Sequence, residues 1–293
     1  VKVREYFKGD QSVFSFEFFL PKTPEAMADF KTTIRSLKRL EPAFVTLTYG
    51  AGGSARDRTI ETAGMIRNEL GLETVAHLTC IAHTRPEIQA ILGQIRSLRI
   101  ENLMLLRGDP PRDRVLPPVD QRDYRYAVDL VRHAAAFGGF CIGVAGYPEK
   151  HPEAASLEED LRYLKEKADA GADFITTQLF FENQAYFEFV DKARAIGIHQ
   201  PILPGLMPVT NYGQLQKFAA MCGARIPRQM SDDLSARQSD TEYVVRYGIE
   251  WTYRQARELL DKGAPGIHFY TLNKSRSTQV ILSRLLGQNA GGS

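Results

Sequence analysis

Val13-Phe14-Ser15-Phe16-Glu17-Phe18-Phe19, followed by Thr23-Pro24 and then by Met27, Phe30, Ile34 and Leu37, reads as one complete strand-and-helix unit. The first seven residues are almost continuously apolar, as in a parallel strand covered on both faces. Thr23 caps the helix, Pro24 takes its first position, and the four apolar residues fall on one face at helical spacing.

The same unit recurs along the chain. Apolar, β-branched or aromatic runs at 44–49, 74–79, 102–106, 141–145, 174–177, 201–206 and 266–270 follow at intervals of roughly 30 to 40 residues. Ile60, Ala63, Ile66 and Leu70 make a stripe that Gly71 stops, and Pro86 opens a helix carrying Ile88, Ile91, Leu92, Ile95 and Leu98. Ser156 and Glu159 form a capping box ahead of Leu157, Leu161, Leu164 and Ala168, with Gly171 ending that helix. Eight such units in 293 residues favour a closed (β/α)8 TIM barrel over an open α/β sheet. No Gly/Ser-rich linker interrupts them, so residues 1–293 are expected to form a single barrel domain.

Composition excludes several classes. With 37 basic and 35 acidic residues the net charge is +2, which gives no bulk case for nucleic acid or an anionic membrane. No apolar stretch approaches the ~20 residues that span a bilayer. The first ten residues lack the apolar core of a signal peptide. Cys80, Cys141 and Cys222 are odd in number and show no zinc spacing, and the six histidines show none either. A reduced, cytoplasmic protein without metal is expected.

Barrels of this kind place their chemistry at the C-terminal ends of the strands. Glu17 interrupts the first run; Thr48 and Tyr49 end the second, His77 and Thr79 the third, and Arg107-Gly108-Asp109 the fourth. Tyr147 follows the fifth run, Gln178 the sixth, and residues 270–274 close the eighth. Glu17 either pairs with a base such as Arg107 or sits among apolar walls that raise its pKa to that of a general acid. Gly50-Ala51-Gly52-Gly53 is a tight turn or a phosphate approach. His77 alone reads as a core histidine, Phe218 as packing beside Leu215 and Ala219, and Asp160 with Lys167 as a solvated helix face. Their convergence on one rim implies an enzyme with a polar cleft.

Seven strings appear in order: Ser15-Phe16-Glu17-Phe18-Phe19, Thr48-Tyr49-Gly50-Ala51, Ala76-His77-Leu78-Thr79-Cys80, Leu106-Arg107-Gly108-Asp109, Tyr147-Pro148-Glu149-Lys150-His151-Pro152-Glu153-Ala154, Thr177-Gln178-Leu179-Phe180-Phe181 and His268-Phe269-Tyr270-Thr271-Leu272-Asn273. Together they closely resemble the methylenetetrahydrofolate reductase family, itself a (β/α)8 barrel, over nearly the whole chain. The resemblance implies a non-covalent FAD, NADH or NADPH as hydride donor, and 5,10-methylenetetrahydrofolate as acceptor in a ping-pong reaction feeding methionine synthesis. It assigns the general acid to Glu17 and a carboxylate beside flavin and pterin to Asp109. It places Gln178, Gln214, Phe218 and Lys274 on the substrate. It places FAD on Thr48, Tyr49, Ala51, His77, Arg107, Gly108, Asp109, Tyr126, Ala127, Tyr147, His151, Ala154, Asp160 and Lys167.

The chain departs from the bacterial pattern at Lys274, where arginine is common, and at Tyr163, Glu166, Leu20 and Lys22. Lysine keeps the charge and loses the planar fork that grips a carboxylate. Two other readings stand beside the reductase: an FAD and folate barrel reduced by a partner protein, and a catalytically silent subunit of a one-carbon complex. A homo-oligomer is expected. The length holds the barrel without the extra regulatory domain of eukaryotic relatives, so no control by such a domain is expected. The near-neutral charge is expected to average over a cleft that holds anionic ligands beside two buried acids, Glu17 and Asp109.

Overall fold

The computed structural model describes residues 1–49, 53–110 and 115–288, with the backbone alone at 53–55. A 3-10 turn, Val3–Lys8, precedes β1 (Val13–Phe18), α1 (Pro24–Lys38), β2 (Phe44–Leu47), α2 (Gly53–Asn68), β3 (Thr74–Thr79), α3 (Arg85–Ser97) and β4 (Asn102–Leu106). Then come α4 (Ala127–Phe137), β5 (Cys141–Gly146), α5 (Leu157–Asp169), β6 (Phe174–Thr177), α6 (Asn183–Ala195), β7 (Ile202–Leu203) and β8 (Gly205–Leu206). The chain continues through α7 (Tyr212–Cys222), α8 (Arg228–Ser235), α9 (Thr241–Asp261), β9 (Gly266–Tyr270) and α10 (Arg276–Leu285).

The strands run in the order β7-β6-β5-β4-β3-β2-β1-β9-β8, with every pairing parallel. β7 and β8 are separated by Pro204 alone and are two pieces of one barrel strand: β7 pairs with β6, and β8 with β9. Proline has no N–H to offer the ladder. Its carbonyl accepts from His268 N at 2.9 Å, and Gly205 N donates sideways to Thr177 Oγ1 at 2.9 Å. The ring therefore closes through eight strand positions, the seventh of them broken. Only glycine fits at 205, because a Cβ there would stand 2.3 Å from the Thr177 carbonyl oxygen and 2.6 Å from the Tyr270 ring.

The regular interval read from the sequence fails once. Three helices, α7, α8 and α9, fill the crossover between β8 and β9. They enclose an apolar cluster of their own, built on Leu215, Met230, Leu234 and Val244 and joined by Leu179, Met207 and Val209.

Alternation along β1 divides its side chains between two environments. Phe16 and Phe18 turn outward into the strand–helix layer, where Phe18 meets Phe30 of α1 edge-on with centroids 5.6 Å apart. Ser15 and Glu17 turn into the barrel, in register with His268 and Tyr270 on β9. Val3 from the N-terminal turn, Phe44, Met104, Cys141, Phe174 and Leu203 pack the opposite, N-terminal end. At α5 the capping box is half made. Ser156 Oγ accepts from Glu159 N, but the Glu159 carboxylate accepts from Ala155 N, outside the cap. The full box belongs to α3, between Thr84 and Glu87.

Candidate active site

The C-terminal strand ends open into a cleft of about 1240 Å³. That exceeds the ~300–1,000 Å³ of ordinary small-ligand pockets. The cleft is lined by Glu17, His77, Thr79, Thr176 and His268 from the strands β1, β3, β6 and β9, by Arg107, Gly108, Asp109, Tyr147 and Gln178 just beyond strand ends, and by Lys167 of α5 and Phe218 of α7.

Of the residues singled out in the sequence, Glu17, Thr48, Tyr49, His77, Arg107, Gly108, Asp109, Tyr126, Ala127, Tyr147, His151, Ala154, Asp160, Lys167, Gln178 and Phe218 all line this one cleft. Ala51, with Gly50 and Gly52 of the glycine turn, lies outside the described residues. Gln214 and Lys274 do not reach the cleft wall. Gln214 sits in the first turn of α7, its N–H bound to the Asn211 cap, and Lys274 is exposed with Nζ 3.4 Å from Thr210 Oγ1. Phe218 packs on the α7–α9 cluster and also lines the cleft.

Glu17 is neither paired with Arg107 nor walled by phenylalanines. Its side chain is 12% exposed, and Oε2 stands 3.5 Å from His77 Nε2, 3.6 Å from His268 Nε2 and 3.3 Å from the donating Thr46 Oγ1. Strand alternation explains the difference: Phe16 and Phe18 lie on the far face. Burial pushes the carboxyl up, but the approach of His268 and His77 and the Thr46 hydroxyl outweigh it, leaving it below its ordinary value. Burial pushes His77 down, against the pull of Glu17. The Thr271 hydroxyl donates to the Glu17 carbonyl at 2.7 Å, and Asn273 grips the Phe19 backbone with both ends of its amide. Leu272 and Asn273 take positive φ to make that grip.

Arg107 turns instead to Glu153, with Nη1–Oε2 at 2.5 Å and Nη2–Oε1 at 2.7 Å. Gly108 holds φ +85 against Thr79, so Arg107 and Asp109 face the cleft from either side of a tight bend. Asp109 is exposed on the cleft wall rather than buried. Lys167 reaches in from α5 to donate to the Ala145 carbonyl at 2.7 Å; desolvation brings its pKa down to about 8 against the pull of Asp160. Burial raises Asp160, which accepts from His151 N, and lifts the Tyr147 phenol to about 12. Asp160 and Lys167 are cleft residues, not a solvated face.

Sequence reading passed over His268, Thr176 and Glu153. The period-two alternation of β9 was signal enough for His268, since Gly266, His268 and Tyr270 share the inner face. Thr79 Oγ1, Thr176 Oγ1 and His77 Nε2 line the cleft and are buried without a hydrogen-bond partner, three polar atoms that a polar ligand would satisfy. Glu153 belongs to the cleft through its ion pair, which no spacing rule announces.

Fold and cleft together define a (β/α)8 barrel with a large, ionisable ligand site at the C-terminal ends of its strands. The chain belongs to the methylenetetrahydrofolate reductase family, whose sequence profile matches residues 2–286. It is 39% identical over 271 residues to 5,10-methylenetetrahydrofolate reductase of Escherichia coli (strain K12), covering 92% of this chain and 90% of that one. It is 38% identical over 295 residues to methylenetetrahydrofolate reductase (NADH) 1 of Arabidopsis thaliana, covering 97% of this chain and 50% of that one. The chain thus spans about half the length of the plant relatives it matches. Among solved structures, a Clostridium thermocellum protein described as binding two copies of 5-methyl-5,6,7,8-tetrahydrofolic acid has the same fold. Its TM-score is 0.65 at 13% identity, over 96% of this chain and 95% of that one. Among the described residues no helix is long and apolar enough to cross a membrane.

Proposed function

We propose that this barrel reduces 5,10-methylenetetrahydrofolate to 5-methyltetrahydrofolate with electrons from NADH or NADPH, using a non-covalently bound FAD. The observation that carries this reading is the gathering of Glu17, Asp109, Gln178 and Phe218 around one cleft with the cations Arg107 and Lys167. The residues present fit a flavin dinucleotide. The unpartnered hydroxyls of Thr79 and Thr176 and the unpartnered His77 Nε2, all lining the cleft, suit a ring edged with donors and acceptors. Arg107 and Lys167 suit a pyrophosphate. Thr48, Tyr49, Gly108, Tyr126, Ala127, Tyr147, His151, Ala154 and Asp160 complete the FAD site. Bound there, FAD supplies a ring that accepts hydride from the nicotinamide and delivers it to the folate in a second half-reaction.

The chain's own groups do the rest. Glu17 presents its carboxyl at the cleft floor. Held below its ordinary value in the open cleft, it takes a proton from solvent as the bound rings displace the water around it and raise its pKa. It delivers that proton to the folate nitrogen that leaves the methylene carbon. The Asp109 carboxylate stabilises the cationic iminium that precedes hydride arrival and accepts hydrogen bonds from the pterin. Gln178 Oε1 now accepts from Leu179 N at 2.8 Å; turning its amide offers one donor and one acceptor to folate or nicotinamide in turn. Phe218 supplies an apolar face for a substrate ring.

Two anaerobic steps test the reading. The purified protein shows a flavin spectrum, which NADH or NADPH bleaches and methylenetetrahydrofolate restores. Flavin that neither nicotinamide bleaches moves the assignment to a barrel reduced by a partner protein. A protein that takes up no FAD is a silent scaffold.

A further inference from the structure

The loop after β5 and the C-terminal end of α7 meet beside the cleft. The loop lines it with Tyr147, His151 and Ala154, and α7 lines it with Phe218, Met221 and Cys222. The loop is fixed by its own bonds: Lys150 Nζ donates to the Ala154 carbonyl at 2.7 Å, and His151 N to Asp160 Oδ2 at 2.9 Å. The helix stands apart from the main barrel core. Leu215 and Ala219 pack with Met230, Leu234 and Val244 in the separate apolar cluster of the crossover, so α7 is placed only as well as that cluster is tied to the barrel. On α9, Trp251 Nε1 and Gln255 Nε2 make such ties, donating to the carbonyls of Phe181 and Phe180 at 3.2 and 3.0 Å. At the end of α7 the tie is made by Glu149.

The amides of Gly223 and Ala224, just past the helix, return to the Ala219 carbonyl. The next amide, Arg225 N, leaves the helix and donates to both carboxylate oxygens of Glu149, at 3.2 and 3.1 Å. The Glu149 side chain is 18% exposed, whereas that of Arg225 is 70% exposed and meets Glu182 Oε2 through Nη2 at 2.5 Å. A backbone N–H on a half-buried carboxylate is a strong bond, and an exposed ion pair adds little to it. Glu149 does not line the cleft. It lines a separate crevice with Tyr147, Gln178, Cys222 and Ala224, and so acts through the helix it holds. We infer that Glu149 is the positioning residue of α7: by gripping Arg225 N it sets Phe218 at a fixed distance from the loop that carries Tyr147 and His151. The inference rests on the proposed reductase reading for the ligands on either side, FAD against the loop and folate against Phe218. With α7 tied, the folate site is formed before folate arrives; untied, part of the binding energy goes into bringing the helix back.

Hydrogen exchange read by mass spectrometry tests the tie with no folate present. In Glu149→Ala the amides of residues 223–226 and of the last turn of α7 are expected to exchange about tenfold faster or more. Glu149→Gln keeps an acceptor oxygen and should stay within about threefold of the unaltered protein. Arg225→Ala keeps its backbone N–H and is expected to match the unaltered protein. Unchanged exchange in Glu149→Ala overturns the inference, and so does an Arg225→Ala variant as mobile as Glu149→Ala, since the side-chain pair would then be the tie. Steady-state kinetics supply the second arm. Glu149→Ala is expected to raise the KM for methylenetetrahydrofolate about three- to tenfold, with kcat and FAD affinity each within about twofold, and Glu149→Gln to restore most of the KM. A fall in kcat at unchanged KM, or FAD weakened in step with folate, places the effect on the loop and overturns the inference. Should the unaltered protein fail to reduce folate, the functional reading falls, while exchange still decides whether Glu149 holds α7.

Discussion

The Arg107 guanidinium is engaged at both terminal nitrogens by the Glu153 carboxylate, at 2.5 and 2.7 Å, so a principal cation at the cleft entrance is already neutralised by its own chain. Glu153 is 62% exposed, and a solvated pair of this kind contributes only ~0.2–1 kcal/mol. An entering pyrophosphate therefore competes with a weak internal partner. Glu153→Gln is expected to tighten FAD up to about fivefold and to steepen the salt dependence of binding. Stability should change by less than ~1 kcal/mol. Titration of apoprotein by flavin fluorescence at two ionic strengths checks both; weaker binding in the variant would mean that Glu153 holds Arg107 in place for the ligand.

Lys167 carries a depressed pKa of about 8 because its ammonium is desolvated. Between that value and the ordinary 10.5, the unfolded chain binds the proton that the folded chain has lost, so stability rises with pH through this window. A bound phosphate has the opposite preference and restores the proton. FAD binding is thus expected to take up protons near pH 8 and to weaken as pH rises above it, by up to about tenfold per unit. Calorimetry in buffers of different ionisation enthalpy measures the uptake. Lys167→Met should weaken FAD by roughly ten- to a hundredfold while leaving the apoprotein at least as stable at neutral pH.

The seam of the barrel depends on one missing side chain. A methyl at 205 would collide with the Thr177 carbonyl and the Tyr270 ring, both of which hold β6 to β9 across the broken strand. Gly205→Ala is expected to cost about 1–3 kcal/mol or more in urea unfolding. An unchanged midpoint would mean that the seam is soft enough to open around the methyl.

Asn273 ties the end of β9 to the end of β1 by donating to the Phe19 carbonyl at 2.9 Å and accepting from its N–H at 2.8 Å, with its own φ at +58. Asn273→Ala loses both bonds and puts a residue less tolerant of the left-handed region than asparagine at this φ, an expected cost of about 2–3 kcal/mol. Asn273→Gly loses the same bonds without the backbone strain and should recover about 1 kcal/mol. Equal losses in the two variants, read from urea midpoints, would remove the strain from the explanation.

The barrel was legible because its units are local. Val13 to Leu37 carries strand, cap, proline and helical stripe within one short segment, and six of its seven successors repeat the pattern with enough fidelity to place every strand within two residues. The seventh strand was placed but not its break, which arises when Pro204 meets two neighbours from different parts of the chain. The site was legible only as far as residues at strand ends could be named. The partners of Glu17 come from β2, β3 and β9, and their approach is set by register across strands. Alternation alone puts Phe16 and Phe18 on the opposite face, but it does not name the histidines that stand beside Glu17. Gln214 stands just outside the cleft lining. It lies one turn before Phe218 on the same face of α7, and the cleft lining takes up Phe218, Met221 and Cys222 from this helix.

Glu17→Gln separates the two halves of the proposed reaction. Glutamine preserves shape and keeps an acceptor for Thr46 and the histidine N–H, but it has no proton to give. Reduction by nicotinamide needs no general acid from the floor of the cleft and is expected to proceed within about threefold of the unaltered rate. Reoxidation by methylenetetrahydrofolate is expected to slow by ~10²–10⁴-fold, the range that a positioned acid contributes. Stopped-flow absorbance of each half-reaction supplies the two numbers. If folate reoxidation survives at the unaltered rate, Glu17 is a structural partner of His77 and His268, and the proton must come from elsewhere in the cleft. If nicotinamide reduction fails as well, the substitution has disturbed the FAD site, and the His77 contact at 3.5 Å is the route by which it did so.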